Sequence, residues 1–339
     1  MRYEKKVVVL SSVFAALLVI WALGLVFSPD RAQARSESGR LLPGKAAEVA
    51  AILIQESGSG PIELVKSGSS WVLSDGSAKF PVQTAHLSSF LDDVAAVSRL
   101  RPIAWSRGSW SNLELGDAQA KRATLKDAKG KVLADFYVGG YGPTGSEVYI
   151  RRSGSDASYS AETGIASYFT GGRSGWLDLK VMGDLRESDV QSFSVKSDIA
   201  LDAKAKAHTK LDYELRRDGK GWKIANGVGA ASVVGAAGHA GDTLDAEAAS
   251  ALLRTIVGLQ GEDYVSAPPA DAFSPILARV DLELGTGKAK VLEVGSKASG
   301  AAGSDARFYA RLADGPVFLL SSYSLSSILK SPGDLAATK

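Results

Sequence analysis

The 339 residues hold 39 Lys+Arg against 37 Asp+Glu, three histidines and no cysteine. Without cysteine the chain has no disulfide, iron–sulfur cluster, thiolate zinc site or cysteine nucleophile, and a net charge of +2 lacks the basic footprint of a nucleic-acid binder. A hydrophobic share of 45% with 36 Gly and 11 Pro excludes a disordered or collagen-like chain and leaves length for one or two folded domains.

Residues 7–27 form an unbroken run of 21 uncharged, mostly apolar residues. At about 1.5 Å per residue, one helix of that length spans the ~30 Å hydrocarbon core of a bilayer. Arg2, Lys5 and Lys6 precede the run, and Pro29 and Asp30 follow it. The positive-inside rule then keeps the N-terminus in the cytoplasm and exports everything else. Residues 1–34 are therefore expected to be a single-pass membrane anchor with its transmembrane helix at 7–27. Ala32-Gln33-Ala34 offers a signal peptidase an A-x-A site, but the run exceeds the roughly 7–15 residues of a cleavable core. Arg2, Lys5, Lys6 and Arg31 against Glu4 and Asp30 account for the whole net charge. Residues 35–47 read as a short polar tether.

Beyond the tether the sequence repeats itself, element by element. Residues 62–68 lead through two residues to Trp71 and on to Asp75-Gly76; residues 213–219 lead through two residues to Trp222 and on to Asn226-Gly227. Each reads as strand, turn, strand, turning at Gly68 or Gly219, with the tryptophan in the core. Leu87, Phe90, Leu91, Val94 and Val97 then recur at helical spacing, as do Ala249, Leu252, Leu253, Ile256 and Leu259. Thr84 and Asp245 are the expected N-caps.

Strands resume in both stretches. Lys129-Gly130-Lys131 runs to Val138-Gly139, and Thr286-Gly287-Lys288 to Val294-Gly295. Val280, Leu282 and Leu284 alternate with Asp281 and Glu283, as in a half-buried antiparallel strand. Val148-Tyr149-Ile150-Arg151 matches Phe308-Tyr309-Ala310-Arg311. Ile165, Tyr168 and Phe169 match Leu325, Ile328 and Leu329 in a last helical turn, and residues 49–54 match 190–195. The expected fold is α+β: two tandem duplicated units, 48–183 and 186–335, each a mainly antiparallel sheet with one main amphipathic helix, after the anchor.

This order of motifs resembles the bacterial domain-of-unknown-function 4340 family. The residues that carry the resemblance are Trp71-Val72-Leu73, Pro81-Val82, Thr124-Leu125-Lys126-Asp127 with Gly130-Lys131-Val132-Leu133, Val138-Gly139, Val148-Tyr149-Ile150-Arg151, Trp176-Leu177-Asp178 and Ser188-Asp189-Val190. It covers residues 48–195 well and the second stretch more weakly. The resemblance implies an exported, N-terminally anchored protein of the bacterial inner membrane, often encoded beside a gliding-type ABC transporter. It implies no catalytic residues.

Residues 140–146 come near a P-loop, but Ser146 and Glu147 stand where a phosphate-binding lysine is needed, so a hairpin connection is expected. Residues 227–241 space glycines by three without the G-x-G-x-x-G that opens a dinucleotide-binding helix, and read as a flexible loop. His86, His208 and His239 share no metal-ligand spacing and read as surface residues. Asp92 and Asp93 sit about 100° apart on their helix, which suits a solvated face.

Trp105 and Trp110 flank Ser106-Arg107-Gly108-Ser109. Trp105, Arg107 and Trp110 are the candidate partner-binding residues, the alternative being rings that close the edge of the core. No catalytic, cofactor-binding or metal residue is assigned. A dispersed Ser-His-Asp triad stays open, without a G-x-S-x-G elbow to support it. The expected function is a non-enzymatic, membrane-anchored periplasmic accessory or scaffold protein. Its expected partners are the membrane and a protein, such as ABC transporter subunits or other envelope proteins, and no cofactor or nucleic acid. The alternatives are a glycan- or lipid-binding envelope module and, less favoured, a hydrolase.

Overall fold

The computed structural model describes residues 39–335 apart from 57, 59, 202–207, 220, 227–244, 299–305 and 314, together with Phe14, Leu17, Leu18 and Trp21. Those four are helical with exposed side chains. The rest of the 7–27 run and the A-x-A site lie outside the described residues. Among the described residues no helix is long and apolar enough to cross a membrane. The chain divides into two compact units, Met1–Ser74 with Val82–Trp176, and Asp75–Pro81 with Leu177–Lys339.

The strands up to Trp176 are β1 (Val49–Gln55), β2 (Ile62–Ser67), β3 (Ser70–Asp75), β4 (Ala78–Pro81), β5 (Arg101–Ala104), β6 (Lys121–Asp127), β7 (Val132–Tyr141), β8 (Glu147–Arg152) and β9 (Ser158–Glu162). β4 falls in the segment that groups with the second unit. The first unit's sheet runs β3-β2-β1-β6-β7-β8-β9-β5, antiparallel at every pair. Helix α1 (Thr84–Ala96) buries Leu87, Phe90, Leu91 and Val94, the face its spacing predicts. Each such side chain sealed from water contributes about 1.5–3 kcal/mol. The sheet is one-sided to match: Ala134, Phe136 and Val138 of β7 are buried and their neighbours are not.

The second unit holds β10 (Val190–Ile199), β11 (Thr209–Asp218), β12 (Gly221–Asn226), β13 (Ala278–Leu284), β14 (Ala289–Lys297), β15 (Arg307–Leu312) and β16 (Phe318–Ser321). Its sheet runs β12-β11-β10-β13-β14-β15-β16, again antiparallel throughout. Helices α2 (Ala246–Val257) and α3 (Ser322–Ile328) cover it, burying Leu252, Leu253, Ile256, Leu325 and Ile328 around Phe193 and Trp222.

From β3 to β9, the first sheet has the same strand order as the second. Its irregularities also recur. β1 and β10 shift register at Val49/Ala51 and Val190/Ser192; β7 and β14 shift at Val138/Tyr141 and Val294/Lys297. Gly139 or Gly295 stands in the second shift. A Cβ there would overlap the backbone carbonyl of Leu113 or Ala272. That same carbonyl accepts from the next N–H, Gly140 at 3.0 Å or Ser296 at 2.6 Å.

Three expectations need correction. Asp245 caps α2, accepting from Glu247 N and Ala248 N, but Thr84 is the first helical residue of α1. Its N-cap is Gln83, whose N–H goes to Trp176 O at 2.9 Å, so the chain rather than a side chain fixes that end. Trp222 is buried, but Trp71 is only half-buried. Trp222 meets Phe193 edge-on and donates to Ser250 Oγ; Ile52 occupies the matching register in β1 and offers Trp71 no ring. The end of the expected tether packs into the first unit: Leu41 and Leu42 are buried, and Leu41 N–H donates to Val97 O at 3.0 Å. The expected last helical turn of the first unit is present, as the 3-10 helix Ile165–Phe169.

Replacing Gly139 or Gly295 with Ala is expected to lower the stability of its own unit by about 1–3 kcal/mol in urea unfolding. Gly108→Ala, where an added Cβ meets only Ser106 Oγ at 3.8 Å, is expected to stay within about 0.5 kcal/mol.

Candidate functional site

β5 ends at Ala104, and Trp105 follows with 42% of its surface exposed. A single 3-10 turn, Arg107–Ser109, then brings Trp110 back toward the sheet, and Trp110 O accepts from Leu115 N–H at 2.8 Å. The Trp110 indole N–H donates to Asp156 O at 3.1 Å. Arg107 Nε donates to the same residue's carboxylate at 2.7 Å. That hydrogen bond, with the Asp156 charge, raises the Arg107 pKa further.

Behind Trp110 lies a column of alternating cations and rings. The Arg107 guanidinium carbon is 5.4 Å from the Trp110 ring centre. Arg151 lies 3.9 Å from the Trp110 centre and 3.6 Å from that of Tyr137. Arg122 lies 5.1 Å from Tyr137 on the column's far end. Each arginine has its own carboxylate: Arg107 with Asp156, Arg151 with Asp117 at 2.6 Å, and Arg122 with Asp135 through two bonds. Arg151 is 3% exposed and also donates to Leu115 O. Cation–π contacts of this kind contribute about 0.5–2 kcal/mol each. Burial pushes the Asp135 carboxyl up, but the hydrogen bonds and charge of Arg122, with hydroxyls from Ser153 and Thr124, outweigh it and hold it low.

Arg107 and Trp110 thus come together, and Trp105 stands just before their turn in the chain. Trp105 and Arg107 are exposed; Trp110 is half-buried and clamped. Arg122, Tyr137 and Arg151 escaped sequence reasoning. Arg122 and Tyr137 face each other across β6 and β7, and Arg151 is the next partner of Tyr137 on β8. Only the strand register reveals that row.

The histidines differ from expectation in one case. His86 is half-buried, its ring 4.9 Å from Tyr168 and 5.0 Å from Trp176, and it makes no hydrogen bond among the described residues. Burial lowers its pKa. Asp93 is also half-buried rather than solvated, because it accepts from Tyr168 OH at 2.8 Å. Burial and that carboxylate push the phenol up to about 12. His208 is exposed and paired with Asp198 at 2.6 Å; His239 and the 227–241 loop lie outside the described residues. Residues 142–146 link β7 to β8, with Gly142 N–H on Glu147 O. Among the described residues no cluster of His, Asp and Glu could hold a metal ion.

A family model described as "Domain of unknown function (DUF4340)" matches residues 71–276, more than half of the chain, and the chain belongs to that family. No curated protein and no solved structure gives a significant match.

Arg151→Lys keeps the charge but loses the planar guanidinium between two rings. It is expected to cost the first unit about 1–3 kcal/mol in urea unfolding and to red-shift tryptophan fluorescence as Trp110 is released. Burial lowers the His86 pKa in the fold, so the unfolded chain binds a proton more readily. Stability is therefore complete above the ordinary histidine pKa of about 6.5 and declines as pH falls through it. In His86→Phe that component of the acid decline, read from unfolding midpoints across the pH range, is expected to vanish.

Proposed function

We propose that this chain is a non-enzymatic, membrane-anchored accessory or scaffold protein of the bacterial envelope. Its two units descend from one duplicated domain and present an exported surface to a transporter subunit or another envelope protein. Residues 1–34 serve as the anchor, with the N-terminus cytoplasmic. The 21-residue apolar run behind three basic residues supports that orientation. Phe14, Leu17, Leu18 and Trp21 are helical with exposed apolar side chains, as lipid contact requires. The shared strand order and the paired register shifts support the duplication.

The observation that carries the binding role is Trp105. A large ring exposed where the chain enters the turn of a fixed arginine and a clamped second tryptophan is what a contact hot spot needs. The same exposed ring fits a sugar face, so a glycan-binding module is the second reading.

Crosslinking full-length protein in its membrane, followed by mild detergent extraction, is expected to recover a distinct protein partner. Recovery of the chain alone would count against the scaffold role. Trp105→Ala is expected to weaken the partner by about 2 kcal/mol, roughly thirtyfold in Kd, with an unchanged unfolding midpoint. Loss of polysaccharide retention in that variant, with partner recovery intact, would instead favour the glycan reading.

A further inference from the structure

The two sheets end in matching edges. In the first unit, Ile150 pairs with Tyr159, which pairs with Pro102 of β5. In the second, Ala310 pairs with Phe318, which bridges Tyr264. Pro102 and Tyr264 therefore hold the same place. Residues 262–265 lie on β16 as β5 lies on β9, with Glu262 N–H on Leu319 O, Leu319 N–H on Asp263 O and Val265 N–H on Val317 O.

In the second unit this edge is covered. The Phe80 ring lies flat on Tyr264, centres 5.0 Å apart and planes 13° apart. Ser266 Oγ donates to Asp75 Oδ2 at 2.8 Å. The Tyr264 hydroxyl donates to Asp178 O, and Asp178 N–H returns to Pro81 O. The cover is residues 75–81, a turn at Gly76 that runs into the short strand β4, with a carboxylate at one end and an aromatic ring near the other.

In the first unit the edge is bare. Pro102 is exposed, Ile103 is 38% exposed and Trp105 is 42% exposed. Arg101 and Arg107 are paired with Glu147 and Asp156, whereas Arg99 is exposed and makes no ion pair among the described residues. β5 has β9 as its neighbour and ends the sheet order. Extended, residues 99–105 span about 20 Å, the length of some six residues of a facing strand.

We propose that this edge is the docking site for an extended segment of a partner protein. The segment lies across Pro102, Ile103 and Trp105, with an aromatic or aliphatic side chain on the proline–tryptophan strip as Phe80 lies on Tyr264, and a carboxylate on Arg99 at the opposite end of the strip from the place where Asp75 meets Ser266. This rests on the scaffold reading above and names the partner's chemistry. Pro102 has no N–H to give a facing strand, so side chains carry the contact. A second copy of this chain is disfavoured as the occupant, because its own covering segment is already in use on Tyr264.

A photo-crosslinking amino acid is placed at Ile103 in full-length protein, in cells that make it, with Tyr323 of the second unit (80% exposed) as the control position. Crosslinks from position 103 are expected to fall in one short stretch of one protein, a stretch holding an aromatic or aliphatic residue and an Asp or Glu. Arg99→Glu is expected to cut the yield about tenfold, with an unchanged circular dichroism spectrum. Reversing the partner's carboxylate to Lys is expected to restore it. Scattered crosslinks, crosslinks to a second copy, or a yield indifferent to Arg99→Glu would overturn the proposal. Should a partner co-purify yet crosslink only from elsewhere, the docking edge fails and the scaffold role stands. Should no partner co-purify, both fail.

Discussion

A guanidinium sealed from water must find partners on every side, and Arg151 organises the first unit on that condition. Its charge goes to Asp117, its Nε–H to Leu115 O, and its two faces to Trp110 and Tyr137. Asp117, Leu115 and Trp110 all belong to the irregular stretch between β5 and β6. One buried side chain on β8 thus fastens a loop whose only helical turn among the described residues is Arg107–Ser109. Gly139 permits the approach, since any side chain there would meet the Leu113 carbonyl. Trp110 held in this way fixes Arg107, and the strand end that carries Trp105 follows.

The second unit meets the same problem with different chemistry. Arg279 and Arg311 occupy the registers of Arg122 and Arg151, and Glu293 stands in the row where Tyr137 stands. Two cations across a ladder repel unless something lies between them. In the first unit a ring lies between, and each arginine keeps a separate carboxylate. In the second, the buried Glu293 bonds both, Arg279 at 3.4 Å and Arg311 at 2.8 Å. Arg311 then packs one face on Phe273, 4.1 Å from its centre, where the first unit uses tryptophan. The acid solution joins the two arginines through Glu293, although Arg279 also keeps Asp281 at 2.9 Å. The ring solution leaves Asp135 bound to Arg122 and Asp117 bound to Arg151 independently.

Elements whose side chains repeat at a fixed period were legible in the sequence. The apolar faces of α1 and α2, the turns at Gly68 and Gly219, and the strand motifs all fall where spacing places them. β5 was not legible, because Arg101-Pro102-Ile103-Ala104 has no alternation and holds a proline, as an edge strand can. The cation–ring column was hidden for another reason. Its members come from three strands and a loop, and only register aligns them. Val138-Gly139 and Val294-Gly295 were visible as a match, but their cause, a carbonyl from a distant loop, is a tertiary fact. His86 read as a surface residue because helix spacing says nothing of Tyr168 and Trp176, far along the chain.

The absence of cysteine leaves this chain no disulfide to hold it together. Many of the ion pairs among the described residues are exposed, and such pairs contribute about 0–1 kcal/mol each. Stability therefore falls to the two cores and to segments that close them from far away in sequence. Leu41 and Leu42 enter the first core, and the carbonyls of Gly39 and Arg40 take the Arg152 guanidinium from the end of β8. Residues 75–81 do the same for the second unit, through Phe80 on Tyr264 and Asp75 on Ser266. Such a segment closes a long loop as a disulfide would, but by contacts that depend on the rest of its unit being folded. The second unit is thus not contained in the residues after Trp176. A fragment beginning there would lack the ring that covers Tyr264, and a cut between the two sheets would not yield two complete domains.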